Sequence, residues 1–172
     1  MNIRKATIED IDDIMKVEWA SFIDNIQEEQ SVFEERIKRC PELFLIFQEG
    51  ENIAGYMSAE FMDKVPETAE ELKLGHIPSF SKNNKDSYIY ISSFAILPEF
   101  RGAGAGSLMW NKSLEYFKKN CGCEKFLLLV NEEWKGAFHI YEKSGFKVVK
   151  EFPEFFDKED GGKSSGILMS LK

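Results

Sequence analysis

The chain has 172 residues, of which 43% are hydrophobic and 30% charged, a composition that suits one soluble domain with a sizeable core and leaves too little chain for two. The net charge of −8 argues against a nucleic-acid surface and suits a cationic substrate such as an amine. There is no signal stretch and no apolar run near the ~20 residues of a membrane span, so we expect a single cytoplasmic domain over residues 1–172. Cys40, Cys121 and Cys123 are expected to be free thiols, and no second ligand pair points to a metal.

The N-terminal segment predicts a strand followed by an amphipathic helix. Residues 2–6 form the strand, and Thr7 with acidic residues behind it is typical of a helix N-terminus. Residues that recur at helical spacing divide into an apolar and a polar face. The apolar face, predicted to point inward, comprises Ile11, Ile14, Met15, Trp19 and Phe22. The polar face, predicted to point to solvent, comprises Asp12, Asp13, Lys16 and Glu18.

A polar, acidic linker over residues 23–30 separates this helix from a second one. Ser31 and Glu34 form the pattern of a capping box, which predicts that the second helix opens there. Residues 43–48 and 53–61 then predict two strands joined by a short glycine-containing turn, which favours an antiparallel hairpin.

The second half of the chain predicts strands and helices in alternation after a long loop. Residues 62–85 are polar and turn-forming, with a short helix predicted over 68–72, and a loop this long in a compact domain is usually functional or disordered. After it come a strand over 88–97, a helix ended by Gly122, a strand over 125–130, a helix over 134–143, a strand over 146–149, a polar segment over 154–165 and a strand over 166–171. The order β-α-α-β-β-β-α-β-α-β-β predicts an α/β (α+β) fold with one mixed, largely antiparallel sheet and helices on both faces.

The turn between the strand at 88–97 and the next helix is the most informative stretch. After Arg101 it contains only residues without a side chain larger than methyl before Ser107: Gly102, Ala103, Gly104, Ala105 and Gly106. The first N–H groups of a helix lack partners and carry partial positive charge, so this turn suits a diphosphate, to which Arg101 adds a cation. The sequence lacks the lysine of a Walker loop and the third glycine of a dinucleotide fingerprint. An ordinary tight strand-to-helix connection is the alternative interpretation.

The same stretch, Arg-x-x-Gly-x-Gly after a strand that ends in Ala-Ile-Leu-Pro-Glu-Phe, resembles the acetyl-CoA loop of the GNAT (Gcn5-related N-acetyltransferase) superfamily. The element order is also the GNAT order. The resemblance implies an acetyl-CoA-dependent N-acetyltransferase that uses no metal. It further implies that Arg101 to Ser107 hold the phosphates and that the pantetheine arm adds like a strand to Phe94, Ala95 and Ile96.

A second motif strengthens the resemblance. The segment over 137–146 matches the family signature Ala-x-x-x-Tyr-x-Lys-x-Gly-Phe, in which the tyrosine commonly protonates the departing thiolate of CoA. This implies that Tyr141 is the general acid, since a phenol stays protonated at neutral pH. The alternative is a core aromatic whose hydroxyl bonds to the backbone. Trp134 stands where the family often has an asparagine, and Asn131 is the candidate for that cofactor contact.

The mechanism that the resemblance implies is direct attack of a neutral amine on the thioester in a ternary complex. An ammonium ion must therefore lose a proton first. The candidate bases are Glu60 on the third strand and Tyr90 or Ser92 on the central strand, the last two acting through waters. Strand alternation predicts that Tyr90, Ser92 and Phe94 share one face. For each of them a purely structural role is the alternative.

Several further residues are weaker candidates around the acceptor. Phe155, Phe156 and His76 are candidates for lining its site, whereas Asp24 and Glu28 are candidates for attracting an amine. His139 is predicted to lie on the surface.

The acceptor itself is not specified by the motifs. The stretches Arg-Cys-Pro-Glu-Leu-Phe-Leu and Phe-Ala-Ile-Leu-Pro-Glu-Phe-Arg are similar to arylalkylamine N-acetyltransferases, but Tyr90 and Ser92 replace the His-x-His of that group. We expect a primary amine that is a small molecule, arylalkylamine-like or a polyamine, with the loop over 62–85 covering its site. The alternatives are a protein or peptide N-acetyltransferase and a non-catalytic CoA-binding sensor. No nucleic-acid or membrane partner is expected, and both monomer and homodimer remain open.

Overall fold

A computed structural model describes residues 1–76, 78–81 and 86–172, so the predicted loop over 62–85 lies partly outside the described residues. The elements follow the predicted order: β1 (Asn2–Lys5), α1 (Ile11–Ser21), α2 (Gln30–Arg39), β2 (Phe44–Glu49), β3 (Asn52–Met62), β4 (Tyr88–Ile96), α3 (Ala105–Cys121), β5 (Phe126–Asn131), α4 (Lys135–Lys143), β6 (Lys147–Asp157) and β7 (Lys163–Leu171). Short 3-10 turns include Asp24–Ile26 and the predicted one at Ala69–Leu72. Within the described residues no helix is long and apolar enough to cross a bilayer.

All seven strands form one sheet in the order β1-β2-β3-β4-β5-β7-β6. Only β4 and β5 are parallel to each other; the other neighbours are antiparallel, which confirms the mixed, largely antiparallel sheet. The parallel pairing is short, because it joins Ile89, Tyr90 and Ile91 to residues 126–128 and then stops. Beyond Ile91 the two strands diverge and leave a notch in the middle of the sheet.

Helices pack on both faces of this sheet because its strands alternate apolar side chains between them. On β2, Leu45 and Phe47 belong to the core under α3 and α4, whereas Phe44 and Ile46 belong to the core under α1 and α2. Trp110 of α3 is fully buried in the first of these cores. The two helical layers therefore cover the sheet on either side of the notch.

Three local predictions were wrong. Helix α2 begins at Gln30 with Glu29 as its N-cap, so Ser31 does not open it with a capping box. The predicted polar segment over 154–165 is mostly strand, since β6 extends to Asp157 and β7 starts at Lys163; pairing along a long hairpin outweighs the polar composition. On α1, Trp19 points to solvent with 58% of its surface exposed, whereas Glu18 is buried.

Candidate active site

A cavity of about 980 Å³ opens where β4 and β5 diverge. Its wall follows β4 from Tyr90 to Ile96 and faces Leu128–Val130 of β5 across the notch. We call the part formed by residues 102 and 104–107 with Ile140 and Tyr141 the cofactor end, and the part formed by Glu18, Glu28, Arg36, Leu72 and Ser93 the acceptor end. The same cavity thus contains most of the residues that the sequence predicted for both substrates.

The glycine-rich turn lies at the cofactor end and exposes its backbone. Gly102, Ala103 and Gly104 have φ angles of 90°, 45° and 80°, a run of left-handed residues that turns the chain into α3. A Cβ atom added at Gly102 or Gly104 would meet no atom within 4 Å, so the main chain there borders open space. The N-terminus of α3 follows directly at Ala105. This geometry fits a diphosphate at the turn, although Ala103 itself does not line the cavity.

Arg101 has a second role at this turn. Its Nε donates to Ile96 O at 2.7 Å, and its Nη2 lies 3.5 Å from Ser21 Oγ on α1. The side chain therefore clamps the turn to the end of β4 while its guanidinium still lines the cavity. The predicted cation therefore borders the cavity, but two of its nitrogens contact groups within the protein.

The central strand is bulged at Ser92. Ser58 pairs with Ser93 and Ala59 with Ile91, so Ser92 is the extra residue, and its Oγ donates to Ser58 O at 3.1 Å. The bulge reverses the alternation, because Tyr90 packs on one face of the sheet and Phe94 on the other. The prediction that Tyr90, Ser92 and Phe94 share a face was therefore wrong.

The bulged part of β4 offers its backbone to the notch. Phe94, Ala95 and Ile96 all line the cavity and have no ladder partner on β5 among the described residues. Leu97 N donates to Ala54 O at 2.8 Å, so by strand alternation the backbone groups of Ala95 pair with Tyr56 of β3, and those of Phe94 and Ile96 point toward the notch. Ile96 O already accepts from Arg101, which leaves the groups of Phe94 and the N–H of Ile96 for an added strand. An extended ligand arm fits this edge.

Tyr141 lines the cavity from α4 and is buried, with 8% of its surface exposed. Its ring lies 4.5 Å from that of Trp110, and burial raises the pKa of its hydroxyl. None of the described residues forms a hydrogen bond with this hydroxyl. The alternative interpretation, a core tyrosine whose hydroxyl bonds to the backbone, is therefore not what the structure shows. The group is a protonated donor at the wall of the cavity.

Asn131 does not line the cavity that contains the turn, whereas Trp134 does. Asn131 Oδ1 accepts from Glu133 N at 2.9 Å and so closes the bend after β5; it lines a neighbouring cavity of about 370 Å³. Trp134 lines both cavities, with its ring 5.8 Å from Phe22 and 5.5 Å from Phe156. The tryptophan therefore forms an aromatic wall where the family has a polar contact.

Glu18 provides the carboxylate at the acceptor end. Only 1% of its surface is exposed, and burial raises its pKa. It accepts hydrogen bonds from Glu28 N at 2.7 Å and from the Tyr56 hydroxyl, whose oxygen lies 2.7 Å from Ser93 Oγ. Because Tyr56 donates to Glu18, Ser93 donates to Tyr56. A hydrogen-bonded chain thus runs from Ser93, in the cavity wall, to a buried carboxylate.

Glu60, the predicted base, lies behind the wall and does not line the cavity. Its Oε1 accepts from His76 Nε2 at 2.5 Å and its Oε2 from Ser79 N at 3.1 Å, while Arg36 Nη2 lies 3.5 Å away. Burial alone would lower the pKa of His76, but the hydrogen bond and charge of Glu60 outweigh it and raise the pKa. Glu60 therefore fastens the β3–β4 loop to the sheet.

Comparison with known proteins agrees with this geometry. The model of the Acetyltransferase (GNAT) family matches residues 9–146. The chain belongs to this family.

As a GNAT protein it is an acetyl-CoA-dependent N-acetyltransferase. Its relatives in sequence and its neighbours among solved structures include several kinds of GNAT protein. An N-alpha-acetyltransferase of Sulfolobus acidocaldarius is 28% identical over 159 residues, which are 92% of this chain and 87% of that protein. The loading GNATL domain of CurA from Lyngbya majuscula has a TM-score of 0.80 at 19% identity, with 99% of this chain and 96% of that chain covered. Arabidopsis thaliana Naa50, in complex with the bisubstrate analogue CoA-Ac-MVNAL, has a TM-score of 0.74 at 15% identity, with 99% and 97% covered.

Residues of the β3–β4 loop and of β6 line the acceptor end of this GNAT protein. Leu72, Lys73 and Leu74 of the β3–β4 loop form part of the cavity wall, as do Phe155 and Phe156 of β6. Asp24 is exposed and does not line the cavity, and His139 is exposed as predicted. Two segments that are distant from each other in sequence thus border the acceptor end, together with α1 and α2.

Three residues of the acceptor end, Glu18, Arg36 and Ser93, were missed by the sequence reasoning. The signal for Glu18 was present: it lies seven, four and three residues after Ile11, Ile14 and Met15, which is an inward position of the helix. Glu18 was assigned to the polar face only because its side chain is charged. Nothing in the sequence marked Arg36.

Proposed function

We propose that this GNAT protein transfers the acetyl group of acetyl-CoA to the α-amino group of a protein or peptide N-terminus. The observation that carries the proposal is the single cavity, which connects a backbone site for CoA to a buried carboxylate through the notch between β4 and β5. Direct transfer requires both substrates to be held in line in one space.

The residues at the cofactor end would hold acetyl-CoA mainly through the main chain. The turn at residues 102–107 and the N-terminus of α3 bind the diphosphate, and the backbone groups of Phe94 with the N–H of Ile96 bind the pantetheine arm. When bound, this cosubstrate supplies an activated acetyl thioester. The remaining chemistry is proton transfer, for which the chain provides its own groups.

Ser93, Tyr56 and Glu18 remove the proton of the acceptor. Ser93 Oγ takes a proton from the ammonium group and passes its own to the Tyr56 oxygen, and Tyr56 passes its proton to Glu18 Oε2. Burial raises the pKa of Glu18, which makes it a better proton acceptor than an exposed glutamate. Glu18 therefore replaces Glu60, Tyr90 and Ser92, the bases expected from the sequence, as our first choice.

Tyr141 donates a proton at the other end of the reaction. Its hydroxyl is protonated at neutral pH because burial raises its pKa, and it lines the cavity beside the turn. We propose that the amine nitrogen bonds to the acetyl carbon as the C–S bond breaks, and that Tyr141 protonates the thiolate that leaves. The second proton of the nitrogen then restores the Tyr141 hydroxyl. The acceptor therefore loses its proton on the β4 side, and the thiolate gains one from α4.

A protein N-terminus is favoured over a small amine by the relatives rather than by the motifs. The N-alpha-acetyltransferase of Sulfolobus acidocaldarius is similar over 92% of this chain. The resemblance to arylalkylamine N-acetyltransferases depends on two short stretches. The peptide is therefore the first substrate to test.

The test is release of free CoA thiol from acetyl-CoA with three groups of acceptors. These are peptides with a free N-terminus, the same peptides with a formylated N-terminus, and small amines that include an arylalkylamine and a polyamine. We expect turnover with the free peptides and none with the formylated ones. Small amines that outpace every peptide would overturn the proposal, and silence across all acceptors with acetyl-CoA still stabilising the fold would favour the sensor.

A further inference from the structure

Arg36 is a buried cation at the acceptor end of the cavity. Only 3% of its surface is exposed, and it lies on α2 in the cavity wall. Its Nε and Nη1 have no hydrogen-bond partner among the described residues. Burying unpartnered donors of a charged group is costly, so these nitrogens are expected to meet an acceptor when the protein works.

The neighbouring carboxylates do not fill this role. Glu60 lies 3.5 Å from Nη2 alone, and its oxygens are already engaged by His76 and Ser79. Glu28 Oε1 accepts from Glu29 N at 3.2 Å; burial raises the pKa of Glu28 despite the opposing charge of Arg36. A guanidinium has five N–H donors in a planar fork, and most of them remain available.

We propose that Arg36 binds a carboxylate that the acceptor carries close to its reacting amine. The inference rests on the proposed function and names the substrate class: an N-terminus with aspartate or glutamate among its first residues. A planar guanidinium suits two parallel hydrogen bonds to a carboxylate. Ser93 and Glu18 receive the ammonium group, and Arg36 receives the acid, so the two charges of the acceptor meet opposite charges in one cavity.

A free amino acid presents the same chemistry through its α-carboxylate. Both sources place an anion a few bonds from the amine, and the experiment separates them by including each as an acceptor. Neutral peptides that differ from the acidic ones by a single amide serve as the reference.

The experiment compares kcat/KM for a peptide that begins Met-Asp with that for the isosteric Met-Asn peptide, and adds free aspartate and methionine as acceptors. We expect the wild type to prefer Met-Asp by about tenfold, the usual effect of a hydrogen bond to a charged group. Arg36→Met should bring the ratio to about one while Met-Asn is still acetylated. Arg39→Met is the matched control, since Arg39 lies on the same helix, exposed and paired with Glu35, and it should keep the preference.

The outcomes separate this inference from the proposed function. A wild-type ratio of one, with both peptides acetylated, overturns the inference alone and needs no variant. Arg36-dependent acetylation of free aspartate without peptide turnover supports the carboxylate site and overturns the peptide proposal. If no acceptor is turned over, calorimetric titration of both peptides into the CoA-loaded protein measures the same preference as a ratio of affinities. The titration uses the wild type and Arg36→Lys, a variant that keeps the charge but loses the planar fork. Equal affinities of the wild type for the two peptides would overturn the inference.

Discussion

The two ends of the cavity are built in different ways. The cofactor end consists of backbone, since it is formed by the bulged edge of β4, a turn with three consecutive positive φ angles and the first residues of α3. The acceptor end includes side chains from α1, α2 and β4, among them Glu18, Arg36 and Ser93, and Tyr56 of β3 links Ser93 to Glu18 behind the wall. Binding of CoA therefore depends on the backbone conformation of the turn and of β4. Binding and deprotonation of the acceptor depend on which side chains are present.

This difference predicts that variants fall into two groups. Changes at the acceptor end should alter turnover or substrate preference and leave the affinity for acetyl-CoA unchanged. Changes in the turn should alter that affinity and leave proton transfer intact. Each of the following experiments tests one side of this division.

Glu18→Gln is expected to have the largest effect. The substitution keeps the shape of the side chain but removes the proton acceptor, and loss of a general base lowers turnover by roughly 1000-fold. Affinity for acetyl-CoA should be unchanged, as measured by calorimetry beside the thiol-release assay. Asp12→Asn, an exposed acid-to-amide change on the same helix, is the control. Normal turnover in Glu18→Gln would return the role of base to Glu60, Tyr90 or Ser92.

The same substitution has an opposite effect on stability. Burial raises the pKa of Glu18 above that of an unfolded glutamate, so the folded state binds its proton more tightly, and stability falls as pH rises between the two values. The ionised Glu18 therefore costs stability at neutral pH. Glu18→Gln should unfold in urea at the same or a higher concentration than the wild type at pH 8.

Tyr141→Phe is expected to lower turnover by about 100-fold, at the modest end of general acid catalysis. The ring keeps its packing against Trp110, so the fold should be intact. Tyr88→Phe is a matched control, because Tyr88 is equally buried, with 8% of its surface exposed, and does not line the cavity. If acetyl-CoA affinity fell while turnover of bound substrate stayed constant, Tyr141 would be a binding residue of the cofactor end.

The sequence was more informative for the cofactor end than for the acceptor end. Arg101 to Gly106 are contiguous, and a run of glycine and alanine before an amphipathic helix has few structural interpretations, so the turn could be predicted from local sequence. The order of strands and helices could also be predicted, from the spacing of apolar residues along the chain. Glu18, Tyr56 and Ser93 are up to 75 residues apart and meet only through sheet pairing and the packing of α1. No spacing rule connects them.

The bulge at Ser92 limited the prediction in a second way. A strand without irregularity would have placed Tyr90, Ser92 and Phe94 together, and one inserted residue moves Phe94 to the opposite face. A single sequence does not show where a strand contains an extra, unpaired residue. The position of Arg36 likewise depends on how α2 packs against β3, which composition does not reveal.

Gly104→Val tests the cofactor end. The residue has a φ of 80° and borders open space, so the variant strains the turn and places a branched side chain where the diphosphate would lie. Affinity for acetyl-CoA should fall about tenfold. Gly161→Val is the matched control, since Gly161 also has a φ of 80° with nothing within 4 Å but lies in the β6–β7 turn. Equal losses in both variants would indicate general strain rather than a binding site.

The smallest effect concerns His76, which fastens the β3–β4 loop to Glu60 behind the acceptor end. Its pKa is raised above the ordinary value of about 6.5, so its contribution to stability is fully present below that pH and is lost as pH rises through the folded pKa. Wild type should exceed His76→Gln in free energy of unfolding by on the order of 1 kcal/mol at pH 5.5, and this difference should vanish at pH 9. His139→Gln, an exposed control, should show no such dependence. A difference that persists at pH 9 would mean that the neutral imidazole of His76, through its contact with Lys73 O or its packing, holds the loop rather than the ion pair with Glu60.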